Sequence, residues 1–472
     1  MNIRTKIVAT LGPASGKVEM LRRLADAGVD VFRINFSHGG DEQREAYLRA
    51  VRDVERELGQ PLAAMADLCG PKIRVGTVAG GPVSLVEGQE IVIQREPIDG
   101  GAGRISTTLA ELVDAVQPGQ SLLLDDGKIR LEVVEVRAPH EVLCRVVRGG
   151  QLSSGKGINL PYTALKLSAL TEKDRRDVDW IARREFDFVA LSFVRSAADI
   201  QELRELLTGR GCGAHIVAKI EKPQALERIE EIIEAADAIM VARGDLGVEM
   251  DLPAVPAAQK RIAQLCQRAG KPCIIATQML ETMTQSATPT RAEVSDVANA
   301  VLDHADAVML SGETAVGQYP VEAVTMMNRI VHEIQGHYDE SSAPLPVVEP
   351  SARLTAALAG AMRELCRNVD IAAVGVFTAT GTTARLLAKN RLPLAVLALS
   401  PEATVVRRMC LYYGVMARQV AAPGHTREVL TLLSDFAKST GAAKAGDNLA
   451  VLSGRPIGRA GTTNTLVVHT IE

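Results

Sequence analysis

The sequence predicts an α/β protein: a closed (β/α)8 TIM barrel, an all-β domain inserted into it, and a smaller α/β domain after it. Three observations lead there. Eight short apolar segments recur between residues 6 and 310, most followed by a helical pattern. Residues 71–166 interrupt that rhythm with glycine-punctuated alternation. After a stretch rich in proline, residues 351–472 begin a second, separate series of strands and helices.

The apolar segments are 6–10, 31–35, 63–67, 188–192, 216–220, 238–241, 273–276 and 307–310. Their near-continuous hydrophobicity suits strands covered on both faces. Helical periodicity follows at 18–27, 42–58, 172–184, 197–208, 223–235, 257–269 and 321–337. This assigns residues 1–70 and 167–340 to the barrel. Within 71–166 the segments 90–94, 121–124, 128–136 and 142–147 alternate with period two and no helix of useful length, so they form an inserted β-barrel-like lid domain. Residues 341–350 hold three prolines among serines and read as a linker. Beyond it, strands at 372–377, 395–398, 449–452 and 465–469 alternate with helices at 354–366, 382–389, 403–412 and 426–439.

A chain of 472 residues exceeds the usual size of one hydrophobic core. Its formal charge of -4 is spread without a basic stripe, which argues against nucleic-acid or membrane partners and directs attention to a small-molecule site. Seven cysteines without a Cys-x-x-Cys pair fit neither a disulfide framework nor a zinc site, and point to a reducing, cytoplasmic setting. The chain opens into a strand with no apolar signal region, and no apolar run is long enough to span a bilayer.

The chemistry concentrates at the carboxyl ends of the expected barrel strands, where barrel enzymes keep their active sites. Lys219 and Glu221 lie two residues apart, on one side of an extended chain. Gly244 and Asp245 follow the next strand, and Thr277 the one after. Arg33, Asn35 and Ser37 end the second strand, Asp67 and Lys72 the third, Ser192 the fourth, Ser311 and Glu313 the eighth. Cations for phosphate, carboxylates suited to Mg²⁺ and a hydroxyl describe a site for a phosphorylated carboxylate. Trp180 falls on the apolar face of a helix and is expected in the core, and the aliphatic stretch 356–365 is expected to serve core or subunit packing rather than a binding groove.

These segments, with Thr5 to Pro13, Arg33 to His38, Asp67 to Arg74, Gly155 to Pro161 and Ala276 to Glu281, resemble the pyruvate kinases over nearly the whole length. The resemblance implies phosphoryl transfer from phosphoenolpyruvate to ADP, giving pyruvate and ATP in the last step of glycolysis. It implies Mg²⁺ on Glu221 and Asp245, with a second Mg²⁺ arriving on the nucleotide, and Lys219 and Arg33 on the transferring phosphate. The backbone at Gly244 and Asp245 would receive the substrate carboxylate, and Thr277 would lie beside the carbon that is protonated. Asn35, His38, Arg74 and Lys156 match nucleotide-contacting positions, although His38 also suits a loop cap. Thr378, Thr380, Gly381, Thr382 and Thr383 match a loop for the phosphate of an allosteric effector, and a homotetramer is implied.

One departure bears on K⁺. Potassium-dependent members have Thr and Glu where this chain has Leu68 and Lys72, while the other K⁺ ligands Asn35, Ser37 and Asp67 are present. The expectation is that K⁺ is not required, an ammonium from Lys72 beside Asp67 taking its place. Lys222 stands where many members have Asn. Two other readings use parts of the same set: a Mg²⁺-dependent lyase or aldolase acting on pyruvate enolates, which would need neither Lys156 nor the insert, and a non-catalytic phosphometabolite sensor, which need not retain Lys219, Glu221, Asp245 and Thr277.

Overall fold

The computed structural model describes residues 3–161, 163, 168–337, 343–348, 350–459 and 461–472. The expected domain boundaries at 166, 167 and 340 lie outside the described residues, as do residues 341, 342 and 349 of the expected linker.

Strands β1 (Lys6–Leu11), β2 (Val31–Asn35), β3 (Ala63–Asp67), β4 (Phe188–Leu191), β5 (His215–Ile220), β6 (Ala238–Ala242), β7 (Cys273–Ala276) and β8 (Ala307–Leu310) close a barrel, every neighbouring pair parallel. Successive side chains of a strand face opposite sides. One set, including Phe32, Ile34, Val189, Ile216 and Ile275, therefore packs outward against the helices. The other set fills the interior with Val8, Val31, Met65, Phe188, Val217, Met240 and Ile274. Continuing those inward rows by two residues reaches Thr10, Arg33, Asp67 and Lys219, so the last interior layer is polar where the lower ones are apolar.

The helix expected at 223–235 is two, Pro223–Glu227 and Ile229–Ala235, broken at Arg228 where φ is -117° and ψ 23°. After β6 the chain enters a short helix, Arg243–Glu249, before the longer Val255–Arg268. Trp180 packs edge-on against Phe36, at 5.8 Å between centroids, as a core residue would.

The insert contains the four strands that its alternation announced, in a six-stranded sheet with Arg104–Ser106 and Ile158–Asn159. Those two, and the Val83–Leu85 and Gly150–Leu152 pair, were too short to show a period. Its apolar cluster runs from Ile73 to Leu160 and includes no barrel residue.

The C-terminal sheet has order β11-β10-β9-β12-β13, from β9 (Ala373–Phe377), β10 (Val396–Ser400), β11 (Val415–Gln419), β12 (Asn448–Gly454) and β13 (Thr463–Thr470); only the β12–β13 pair is antiparallel. The sequence reading missed β11, a half-exposed edge strand whose Arg418 and Gln419 mask its character. The helix expected at 403–412 ends as Ala403–Arg408 plus a 3-10 turn, which leaves the chain free to form it.

Barrel and C-terminal domain meet at a buried ionic cluster. Asp306, just before β8, takes the Lys389 ammonium on Oδ2 and the Arg391 guanidinium on Oδ1, the latter at 3.1 Å. All three are 1% exposed, and Asp306 Oδ2 also accepts the Cys273 amide at 2.7 Å. The guanidinium of Arg391 lies over the Tyr413 ring, 4.1 Å from its centroid.

Candidate active site

The polar top layer of the barrel is one connected cluster. Arg33 Nε donates to Asp67 Oδ2 at 2.6 Å and its Nη1 to Thr10 Oγ1 at 3.0 Å. Lys219 Nζ lies 3.2 Å from Asp67 Oδ1 and 2.8 Å from Glu221 Oε1, and donates to Ser192 Oγ at 2.7 Å. The Phe193 amide, on a residue with φ of 57°, donates to Glu221 Oε2 at 2.7 Å. Arg33, Asp67, Lys219 and Glu221 are each at most 9% exposed, so two cations and two anions balance one another almost without water.

Burial alone would depress the Lys219 pKa, but Asp67 and Glu221 outweigh it and hold the ammonium above its ordinary value. Burial would raise Asp67, yet Lys219 and Arg33 keep its carboxyl below the usual range. Glu221 goes the other way: burial pushes it up, Lys219 offsets part of that, and the nearby charge of Asp245 adds to the rise. A carboxylate whose ionisation is opposed by burial and by a neighbouring acid is one that a divalent cation would relieve.

Beside this cluster a cleft of about 940 Å³ opens between barrel and insert, bordered by Gly244, Asp245 and Thr277 on one side and by Lys72, Asp126 and Asn159 on the other. Thr277 Oγ1 accepts the Gly244 amide at 2.6 Å and donates to the Ala276 carbonyl at 2.6 Å. A Cβ on residue 244 would lie 3.3 Å from that hydroxyl, a tight contact that would make Thr277 give by a few tenths of an ångström. Thr277 and Gln278 have φ of 69° and 54°, a conformation that costs a β-branched residue energy and needs external support. Arg243 supplies it: Nη2 donates to the Thr277 carbonyl at 2.9 Å, while the guanidinium is anchored on Asp296 at 2.6 Å.

Among the described residues no group of three or more His, Cys, Asp or Glu is placed to hold a metal. The pair Glu221 and Asp245 fits Mg²⁺ nonetheless, since that ion normally takes one or two carboxylates and completes its shell with water and substrate phosphate.

Other sequence-nominated residues stand apart. His38 is exposed, its amide 3.4 Å from the Asn35 carbonyl. Asn35 Oδ1 accepts the Ser37 amide at 3.0 Å. Arg74 donates to the Gly155 carbonyl at 2.9 Å, and Lys156 pairs with Asp125 at 2.8 Å, both within the insert. Glu313 is a buttress rather than a cleft residue, accepting the amides of Leu280 and Ser311 at 3.0 and 2.7 Å. The placement expected for Lys72 needs correction: the cations that meet Asp67 are Arg33 and Lys219, whereas Lys72 is exposed on the cleft wall opposite Gly157. Leu68 is buried in the apolar core and has no side-chain oxygen for an ion, while its carbonyl accepts the Ser192 hydroxyl at 2.8 Å.

In the C-terminal domain, Thr378, Thr380, Thr382 and Thr383 line a cavity of about 230 Å³ together with Arg459 and Thr463. Gly381, with φ of 82°, turns the loop so that its amide reaches Thr378 Oγ1 at 3.0 Å. Arg459 and Glu249 escaped the sequence reading of the sites, while Lys222 and Arg243 stood beside recognised motifs without a role of their own.

A closed parallel barrel whose last interior layer is ionic, with a cleft roofed by an inserted β domain, defines a barrel enzyme acting on an anionic substrate. Residues 2–324 match the family described as "Pyruvate kinase, barrel domain", and residues 356–469 the one described as "Pyruvate kinase, alpha/beta domain". The chain is 42% identical over 464 residues to a pyruvate kinase of Methylorubrum extorquens, covering 98% of this chain and 96% of that one. It is 41% identical to one of Geobacillus stearothermophilus, covering all of this chain and 81% of the relative. The solved structure of a pyruvate kinase from Cryptosporidium parvum superposes with a TM-score of 0.92 at 33% identity, covering 100% of this chain and 96% of that one. The chain belongs to the pyruvate kinase family. Among the described residues, no helix is long and apolar enough to cross a membrane, and the seven cysteines are free.

Proposed function

We propose that this chain transfers the phosphoryl group of phosphoenolpyruvate to ADP in the cleft beside the ionic cluster, with Mg²⁺ held by Glu221 and Asp245, as a cytoplasmic homotetramer. The observation that carries this reading is Lys219, a buried ammonium fixed by Ser192, Asp67 and Glu221 in the top layer of the barrel, whose chain neighbours Phe193 and Lys222 line the cleft. The bond from phosphorus to the enol oxygen breaks, a bond to a terminal ADP oxygen forms, and the enolate carbon takes a proton to become pyruvate. Charge develops on the equatorial phosphoryl oxygens, where preorganised cations act most strongly.

Lys219 and Arg33 are the cations for those oxygens, and both are held in place before substrate arrives. Bound between Glu221 and Asp245, Mg²⁺ would supply positive charge to phosphate and enolate oxygens. The turn at Gly244 and Asp245 faces the substrate carboxylate, and Thr277 lies beside the enolate carbon. Its hydroxyl is too weak an acid to protonate carbon alone, so it would serve within a water relay. Asn35, His38, Arg74 and Lys156 are assigned to the nucleotide, the last two reaching it from the insert. Positive charge already beside Asp67, with Leu68 apolar, supports turnover without K⁺ at Asn35, Ser37 and Asp67. The cavity of Thr378 to Thr383 is assigned to the phosphate of an allosteric activator, with Arg459 as an additional cation.

The test is ADP-dependent pyruvate formation from phosphoenolpyruvate with Mg²⁺, comparing parent and Lys219→Met. Losing a preorganised cation should lower kcat about 10² to 10³-fold and leave KM for phosphoenolpyruvate nearly unchanged. A raised KM with intact kcat would overturn the role of Lys219.

A further inference from the structure

Glu249 ends the short helix that begins at the Gly244–Asp245 turn, and its carboxylate is 1% exposed. It takes no part in the phosphoryl-transfer roles assigned above, yet it sits in the wall of the cleft. Two donors from opposite sides converge on one of its oxygens. From the barrel, Lys222 Nζ reaches Oε1 at 3.0 Å; from the last strand of the insert, Asn159 Nδ2 reaches the same atom at 2.8 Å. Its other oxygen, Oε2, is buried with no hydrogen-bond partner among the described residues. Nearly all compensation for burying this charge therefore passes through two contacts, of which one crosses between barrel and insert.

Lys222 immediately follows Glu221, and its ammonium lies 5.7 Å from the centroid of Phe193, whose own amide holds Glu221. The cation that neutralises Glu249 is thus built on the same turn as a carboxylate assigned to the metal. We infer that Glu249 is a positioning residue which latches the inserted β domain over the cleft through Asn159, with Lys222 clamping it from the barrel side. The inference rests on the reading of this cleft as the nucleotide site. It gives Lys222 a purpose: an uncharged residue there would leave the Glu249 carboxylate buried beside an amide alone.

A latch of this kind acts on the population of the closed form. The apparent affinity of a ligand that needs that form falls by the fraction closed, while saturating ligand restores it. Asn159→Ala and Glu249→Leu, each of which removes one partner of the bond, should each raise KM for ADP about tenfold, the worth of one hydrogen bond to a charged group, and change kcat only a few-fold. Hydrogen exchange, followed by mass spectrometry without turnover, should rise across residues 71–75 and 157–161 in both variants. In a double-mutant cycle the two substitutions should not add, because each breaks the same contact. The exchanged pair Asn159→Asp with Glu249→Gln, which reverses donor and acceptor and leaves Lys222 a carboxylate to meet, should recover KM for ADP to within about threefold of the parent. Unchanged exchange in Asn159→Ala, or additive effects of the two substitutions, overturns the latch. A parent chain that transferred no phosphoryl group would sink the reading of the cleft, while the exchange data would still decide the latch.

Discussion

The amide of Gly244 and the hydroxyl of Thr277 are 2.6 Å apart, joining the loops that follow β6 and β7. In this state the hydroxyl is committed on both sides, accepting from Gly244 and donating to Ala276. A Thr277 that takes part in proton delivery must exchange one of these contacts for water or substrate. Thr277→Ser, which keeps the oxygen and lightens the strained side chain, should hold activity within a few-fold. Thr277→Val leaves the Gly244 amide without its acceptor and should reduce kcat about 10²-fold. Equal rates for the two variants in a steady-state assay would remove the hydroxyl from the mechanism.

Potassium dependence can be tested at Lys72. Because Asp67 is already met by Arg33 and Lys219, the Lys72 ammonium acts on the cleft itself rather than on that carboxylate. The unmodified enzyme should work nearly as fast in tetramethylammonium as in K⁺. Lys72→Glu, which inverts charge on the cleft wall, should lose activity and regain part of it when K⁺ is added. Strong K⁺ stimulation of the parent would refute this.

At the C-terminal cavity, phosphorylated sugars and nucleoside monophosphates screened at subsaturating phosphoenolpyruvate should include an activator. It must favour the active state and not merely bind. Thr380→Asp places a negative charge among the hydroxyls that line the cavity and should abolish activation while basal turnover persists. An activator whose potency survived that change would have to bind elsewhere.

His304 makes stability depend on pH. Burial, reinforced by the cations of Arg391 and Lys389, pushes its pKa down to about 4, from 6.5. A depressed histidine is neutral when folded and takes up a proton more readily when unfolded, so stability is full above pH 6.5 and declines as pH falls toward 4. Discounted for partial exposure, the loss by pH 5 is about 1 kcal/mol. His304→Asn, which tolerates the local φ of 62°, should show a smaller fall in urea midpoint between pH 7 and pH 5.

Much of this arrangement is legible in the sequence because it follows from short-range rules. Period two carries Val217 inward and so carries Lys219 and Glu221 to the same side, and eight apolar runs with helices between them leave few architectures open. What escaped depends on partners distant in the chain. Nothing near Lys72 says that Asp67 is already met by Lys219, and nothing near Lys222 says that Asn159 and Lys222 converge on Glu249. The strand Val415–Gln419 was lost for another reason: an edge strand faces water on much of its surface and carries no hydrophobic pattern to read.

Asp306 has a bearing on how the chain is made. Its ion-pair partners, Lys389 and Arg391, lie 83 and 85 residues downstream, so they leave the ribosome well after the eighth barrel strand has been synthesised. During that interval the carboxylate beneath the barrel has no cation from the segment that will later enclose it. Burying an unpaired charge is strongly unfavourable, which holds the amino-terminal mouth of the nascent barrel open to water. The amino-terminal mouth of the barrel therefore closes only once the domain translated after it has supplied Lys389 and Arg391.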